Sequence, residues 1–426
     1  MQVGVIGCGT AGPAAAILLA RRGHRVRLFD QAAELKPLGA GLLLQPTGMA
    51  VLAQLGVLDE LMRLGSRVDR LLGTDPHNRP VLDVRYADLR PDLFGLGLHR
   101  GALFSALHVE AVRAGVDISS GVAAASFEER ADAVSFRDRE GREHGPFDLL
   151  IIADGARSSL RNQFGGVRRC DRYPWGALWF VAEDPAARFA GVLRQVYRGT
   201  SGMIGFLPSG RATADGPNTV SVFWSVPIVE VERVRAAGLE AWKSQVRALT
   251  PLAEPVLDQI RSFDQLIVAG YHDVVVRRVS SGRVALLGDC AHAMSPQLGQ
   301  GANLALLDAA AIDRALTDSP DIASALRAYD AARRASTRYY QFALILLARD
   351  GLGGELARRR FAPGGEFLGH MDFHLFDLGN GENRLALGTR ALLASVLVAD
   401  AKLSFAAGTD DQNRHTNTAL GDAPLK

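Results

Sequence analysis

The sequence predicts a two-domain α/β protein. One domain is built on a parallel sheet flanked by helices. The other is a discontinuous second domain on an antiparallel sheet, and helices follow at the C-terminal end. Three observations predict this. The chain opens on strand, glycine turn, helix and strand, a βαβ unit that requires a parallel sheet. From about 170 to 280 the texture changes to short Val/Phe/Trp-rich runs separated by turns, such as TVSVFWSVP (219–227). From 283 to 317 the strand–loop–helix texture returns, so the chain leaves the first domain and re-enters it.

The elements follow in order. Val3, Val5 and Ile6 form the first apolar run. Gly7-Cys8-Gly9-Thr10-Ala11-Gly12 is the turn, and Ala14 to Ala20 is a helix with Pro13 tolerated in its first turn. Gly23 stops that helix, and Val26 to Phe29 is the next strand, closed by Asp30. Helical patterns cover 47–64 and 101–114. Phe127 to Glu140 alternates and turns at Gly141, which predicts a hairpin, and Asp148 to Ala153 is a buried strand. A helical interval at 238–261 interrupts the antiparallel region. Val284 to Leu287 is a strand ending in Gly288-Asp289, a helix starts near Ala302, and 321–349 is helical.

The expected boundaries are 1–75, 98–165 and 281–345 for the parallel-sheet domain, and 76–97 and 166–280 for the antiparallel-sheet domain. A helical region is expected at 346–407 and a polar, frayed tail at 408–426.

Composition narrows the function classes. The 426 residues suffice for two or more domains with sizeable cores. A net charge of +2 gives no bias towards nucleic acid or anionic membrane. Cys8, Cys170 and Cys290 are far apart and form no CxxC. That argues against a disulfide framework, a metal site or a dithiol centre, and fits a reducing cytoplasm. The apolar N-terminus lacks the basic region of a signal peptide. The apolar run Leu385 to Ala399 contains Arg390 and is too short to span a bilayer. The expectation is a soluble, cytoplasmic monomer or homodimer with no nucleic-acid or membrane partner.

Three motifs carry chemistry. In the GxGxxG at 7–12, Gly7 permits the tight turn, Gly9 lets a pyrophosphate approach the backbone, and Gly12 allows close helix–strand packing. The helix N-terminus supplies N–H groups for phosphate, and Asp30 stands about 20 residues on, where an acid meets a ribose hydroxyl. In DLLIIADGARSSLRNQF (148–164), Asp154-Gly155 ends a buried strand, with Arg157 and Arg161 placed to meet phosphate. In LLGDCAHAMSPQLGQGAN (286–303), Asp289 ends a strand where open α/β sheets bind ligands, and can accept from a hydroxyl. Pro296, Gly299 and Gly301 make a loop without bulk, on which a flat ring can pack. The following helix favours negative charge developing on that ring.

In this order and spacing, over roughly residues 1–345, the motifs resemble the single-component FAD-dependent aromatic hydroxylases, the p-hydroxybenzoate hydroxylase-like flavoprotein monooxygenases. The segments GAGLLLQPTGMAVLAQLGVLDEL (39–61) and LHRGALFSAL (98–107) resemble that family too.

The resemblance implies a Rossmann-like FAD domain. Gly7, Gly9, Ala11 and Gly12 would hold the ADP half of FAD and Asp30 the adenosine ribose. Gly41 lies in a cofactor-binding segment, and Arg100 matches an arginine contacting FAD. Asp154 and Gly155 match the FAD and NAD(P)H pyrophosphate motif, Asp289 the ribityl acid, and Pro296, Gly299, Gly301, Ala302 and Asn303 the loop along the isoalloxazine. His292 belongs to the pattern too, with ordering of the loop as the reading set against a direct catalytic role. The chain departs from the pattern at Asp30-Gln31, where Glu with Arg or Lys is frequent, and at Cys290, where Ala is usual. Too few residues follow 345 for the thioredoxin-like domain of larger members.

The implied reaction is a hydroxylation. NADPH or NADH, visiting transiently, reduces FAD, O2 adds at flavin C4a, and the hydroperoxide passes oxygen to an aromatic or heteroaromatic ring. The substrate is expected between flavin and antiparallel sheet, with Trp179, Tyr197, Phe206, Phe223 and Trp224 as candidate contacts. His272 and Tyr271 are candidate bases or relays, and the catalytic group is otherwise unassigned. Alternatives on the same fold are an epoxidase, an oxidative decarboxylase or a reductase; the Trp175 and Trp179 of WGALW do not form the WxWxI-type segment of flavin halogenases. From other classes, a non-catalytic flavin- or nucleotide-binding protein and an NAD-dependent dehydrogenase stay open.

Overall fold

Val3 and Val5 lie fully buried in the strand Gln2–Ile6, covered on both faces as a parallel strand must be. This computed structural model describes residues 1–36, 39–199, 202–296 and 299–347. Gln2–Ile6 pairs in parallel with Arg25–Phe29 on one side and Leu149–Ile152 on the other. The six-stranded sheet runs Ser280–Ser281, Val284–Leu286, Leu149–Ile152, Gln2–Ile6, Arg25–Phe29, Asp117–Ser119, all parallel except the first pair. Between its first two central strands the helix Ala11–Arg21 crosses over, burying Ala14, Ala15 and Ala16. Those small residues let it pack against the helix Gly301–Asp318.

The hairpin expected at 127–140 has a third strand. Ala124–Glu129, Val134–Asp138 and Glu143–Phe147 form an antiparallel sheet of their own. Its Phe136 and Phe147 pack on Phe29, which ties this small sheet to the parallel one.

The antiparallel texture between 170 and 280 becomes a nine-stranded sheet. Its order is Ile267–Val276, Val167–Glu183, Thr219–Pro227, Met203–Gly210, Gly191–Tyr197, Ser66–Thr74, Gly95–His99, Gly41–Leu44, with Pro80–Arg85 pairing to Ser66–Thr74. Ser66–Thr74 and Gly41–Leu44, numbered with the parallel-sheet domain in the sequence, hydrogen-bond within this sheet. One face, carrying Leu178, Ile204, Phe206, Val222 and Trp224, is sealed by the helices Val231–Ala236, Leu239–Leu249 and Glu254–Leu257. The expected helical interval 238–261 is broken at Pro251 and Pro255, each of which starts a new turn because it has no N–H to continue the old one.

The helix Ile322–Leu347 closes the described part of the chain. The expected helical region beyond residue 347 and the tail 408–426 lie outside the described residues. Among the described residues, no helix is long and apolar enough to cross a membrane.

Candidate active site

The first glycine turn has the geometry its three roles require. Gly7 has φ +105°, and a Cβ there would lie 2.3 Å from the Ala153 carbonyl oxygen. A Cβ on Gly12 would lie 1.9 Å from the Gly7 carbonyl oxygen, so only glycine lets helix and turn close. Gly9 is different: a Cβ there would meet nothing within 4 Å. The space above Gly9 is open, and a ligand can reach the backbone. Ala11 and Gly12 begin the helix, so their N–H groups stand outside its hydrogen-bond ladder, and no acidic side chain occupies its first turn.

Asp30 closes the second strand beside this turn. Its Oδ2 accepts the Cys8 N–H at 2.7 Å and its Oδ1 the Ala32 N–H at 2.8 Å. Each oxygen keeps a further lone pair for a hydroxyl. Burial and the Asp30 charge together push the Cys8 thiol up to about 12, so it stays protonated and unreactive.

The second turn departs from expectation at one residue. Gly155 has φ +86° and open space around it, as a ligand-approach glycine should. Burial raises the Asp154 carboxyl, and Ser158 and Cys290 lower it in part; its Oδ1 has no partner. Arg161, expected to face phosphate, is instead 1% exposed. It donates to the carbonyls of Cys290 and Ala156 and to the Cys170 sulfur, and so braces the two turns against each other.

The third motif folds as a short helical turn, Asp289–His292, followed by the Pro296 turn, in which the Gly299 N–H donates to the Pro296 carbonyl at 2.8 Å. Gly299 is left-handed at φ +61°. Asp289 Oδ1 lies 3.8 Å from where a Gly301 Cβ would be, so the carboxylate sits at the N-terminus of Gly301–Asp318. The N–H groups of Gly301, Ala302 and Asn303 have no intrahelical acceptor. The Asn303 side chain is already committed: its Oδ1 accepts the Gln45 N–H, and its Nδ2 donates to the carbonyls of Leu43 and Gly299. It shapes the loop, and only its backbone can face a ring. Gly41 behaves likewise: its N–H donates to Ser221 Oγ at 2.7 Å, and a side chain there would strike Ser209 and Ser221.

A buried ionic group supports this loop. Asp308, at 0% exposure, accepts from the Gly288 N–H at 2.6 Å, His292 Nε2 at 2.6 Å and Arg333 Nε. Burial alone would raise its carboxyl, but His292 and Arg333 outweigh that and hold it below its usual range. His292 therefore orders the loop through Asp308.

The large sheet presents its second face to this loop. Leu43, Leu193, Leu207 and Leu304 cluster there, with Phe223 and Met294 packed against them. Trp179 and Phe223 stand opposite one another across two strands, ring centroids 4.9 Å apart. The Phe223 ring lies over Gly205, and the Tyr197 ring over Gly73, where no side chain intervenes. The Trp179 Nε1–H donates to the Tyr271 hydroxyl at 3.1 Å. Burial raises the Tyr271 hydroxyl, offset in part by Trp179 and by Arg100 nearby, so it is protonated at neutral pH. Phe206 and Trp224 point the other way, into the helix-covered core, because side chains alternate along a strand. His272 adjoins Arg172, Arg157 and Arg161; burial and those arginines lower it, so it is neutral at pH 7.

With that geometry in place, comparison with known proteins decides the family. Residues 1–339 match the family described as FAD binding domain. The chain belongs to it, among the FAD-dependent aromatic hydroxylases. The 3-amino-4-hydroxybenzoate 2-monooxygenase of Streptomyces cremeus is 30% identical over 357 residues, 78% of this chain and 83% of that enzyme. The 2-heptyl-3-hydroxy-4(1H)-quinolone synthase of Mycobacteroides abscessus is 28% identical over 368 residues, 83% of this chain and 92% of the synthase. A tetrameric form of 2-methyl-3-hydroxypyridine-5-carboxylic acid oxygenase superposes with a TM-score of 0.69 at 25% identity, covering 86% of this chain and 93% of that one.

The protein is accordingly an FAD-dependent monooxygenase that hydroxylates an aromatic or heteroaromatic small molecule with NAD(P)H and O2. The hydroxylase fold accounts for its open Gly9, its glycine-lined third loop and the acid-free N-terminus of Ala11–Arg21: together they fit a long, anionic, flat-ended cofactor. Sequence reasoning missed Asp308 and Arg333. The available signal was one acid inside the apolar run NLALLDAAAI, a charge that burial would forbid without partners.

Proposed function

We propose that this hydroxylase acts on a neutral, flat aromatic or N-heteroaromatic ring held against Trp179, Phe223 and Tyr271. The observation that carries this is the charge of the sheet face. Within 177–181, 193–197, 203–207 and 221–225 the one charged residue is Arg194, which alternates with Leu193 and so lies on the opposite, helix-covered face with Val196 and Phe206. Arg100 is the one cation that reaches Tyr271 electrostatically among those named for the site, and the family resemblance gives Arg100 to FAD. A carboxylated ring would lose its hydration here without a dedicated cation. The quinolone named for the Mycobacteroides abscessus synthase suits such a face better than the benzoate named for the Streptomyces cremeus enzyme.

In this proposal Gly7, Gly9, Ala11 and Gly12 hold the FAD pyrophosphate end and Asp30 the ribose. Asp154 and Gly155 would lie along the pyrophosphates, Asp289 would take the ribityl chain, and Pro296, Gly299, Gly301, Ala302 and Asn303 would underlie the ring. When bound, the flavin supplies the oxygen-transfer chemistry. The chain's own residues position and shield. Tyr271, protonated and already accepting from Trp179, donates its hydroxyl proton to a carbonyl or hydroxyl of the substrate. Leu43, Leu207 and Leu304 keep water out. We propose the monomer or homodimer as the assembly, to be read by light scattering.

The test is a titration of the FAD-loaded protein with matched ring pairs, one neutral and one carboxylated, followed by flavin absorbance. The neutral member should bind at least about tenfold tighter, a difference of about 1.4 kcal/mol. Tighter binding of the carboxylated member would overturn the proposal.

A further inference from the structure

A second basic feature of the molecule is not used by the hydroxylation chemistry. A cavity of about 230 Å³ opens between the start of the strand Val167–Glu183, the segment 275–279 and the helix Ile322–Leu347. Five of its lining side chains are arginines: Arg168, Arg277, Arg278, Arg334 and Arg338. Asp330 lies 3.5 Å from Arg334. Among the described residues, no carboxylate forms an ion pair with Arg168, Arg277 or Arg278. Guanidinium groups that line one cavity repel one another, and an anion among them relieves that repulsion.

One residue lining the cavity is almost fully buried. His292 lines it and is only 2% exposed. Its Nε2 is bound to Asp308, and its Nδ1 has no partner. With Nε2–H donated to Asp308, Nδ1 of the neutral ring is an acceptor and offers no proton to an anion, so the arginines are the donors of this cavity.

We propose that this cavity binds a phosphoryl anion. A single carboxylate brings one charge to several cations, whereas a phosphate or pyrophosphate brings two or more and matches the bidentate fork of arginine. The anion is either a free phosphate compound or the phosphate of a nucleotide such as NADPH. The site is independent of the substrate proposal, since none of its residues is assigned there.

The experiment is calorimetric titration of the full-length, FAD-loaded protein with pyrophosphate, NADP+ and NAD+, in wild type and in the double variant R277Q/R278Q. Both arginines are exposed, so the variant should keep its flavin spectrum and melting temperature. Pyrophosphate should bind the wild type, more weakly as salt rises, and at least about tenfold more weakly in the variant. NADP+ binding that exceeds NAD+ binding and falls in the variant assigns the phosphate to the nucleotide. Pyrophosphate binding with both nucleotides unaffected by the variant assigns a free phosphate compound. No binding of pyrophosphate, or equal binding in the variant, overturns the site.

Discussion

Gly9→Ala separates cofactor binding from folding at a single methyl group. The added Cβ would meet nothing within 4 Å, and Gly9 is exposed, so the fold has room for it. Its φ is not among the positive values, so alanine is not strained there. The stability of the flavin-free chain should change by no more than about 0.5 kcal/mol, or rise slightly, because alanine restricts the unfolded chain. The same methyl group fills the open space through which a pyrophosphate would approach the backbone. Losing one charge-assisted hydrogen bond costs about 1.5–3 kcal/mol. At 1.4 kcal/mol per tenfold, FAD affinity should fall by roughly 10- to 150-fold. The assay is FAD titration by quenching of flavin fluorescence, beside a melting curve of the flavin-free protein. Unchanged FAD affinity with an intact fold would refute the placement of the pyrophosphate on this turn.

Asp308→Asn should destabilise strongly. Removing the charge leaves buried Arg333 uncompensated, at about 3–5 kcal/mol, visible as a large drop in melting temperature and in retained flavin. The Asp308 carboxyl is depressed in the fold, so its stabilisation is present above the unfolded value near 4 and is lost as pH falls through the folded value. Wild type should therefore lose stability on acidification over that window, and the variant should lack this component in the same melting series. Phe206→Ala should cost about 3–5 kcal/mol of stability, whereas Phe223→Ala, partly buried on the opposite face, should mainly raise the substrate KM. Tyr271→Phe should lower kcat by roughly tenfold or more through the lost hydrogen bond to substrate, and should cost about 1 kcal/mol of stability because the Trp179 Nε1–H also loses its acceptor.

The parallel core was legible because its signals are local. Val3, Val5 and Ile6, the glycine turn and Ala14 to Ala20 each follow from neighbouring residues, and the structure places them as those neighbours require. The nine-stranded sheet was legible as texture but not as membership. Ser66–Thr74 joins it through pairing with Gly191–Tyr197, a contact between residues more than a hundred positions apart, which no local pattern encodes. The side of the sheet was likewise hidden. Trp179, Phe223, Phe206 and Trp224 look equivalent in composition, and only register divides them into two facing the third loop and two in the core. Arg161 shows the same limit: its spacing after Asp154-Gly155 suggested phosphate, but burial between two turns makes it a brace. Asp308 and Arg333 are 25 residues apart on separate helices and meet only once those helices pack.

The central claim is that this chain transfers oxygen to a neutral ring bound on the Trp179–Phe223–Tyr271 face. Its most direct test is a labelled-oxygen turnover. The FAD-loaded protein is mixed with NAD(P)H, 18O2 and a panel of neutral phenols and N-heteroaromatics beside their carboxylated counterparts, and products are read by mass spectrometry. The account predicts one labelled oxygen atom in the product of a neutral ring. Reduced nucleotide consumed with only hydrogen peroxide formed across the neutral panel, or label appearing only in carboxylated rings, would contradict it.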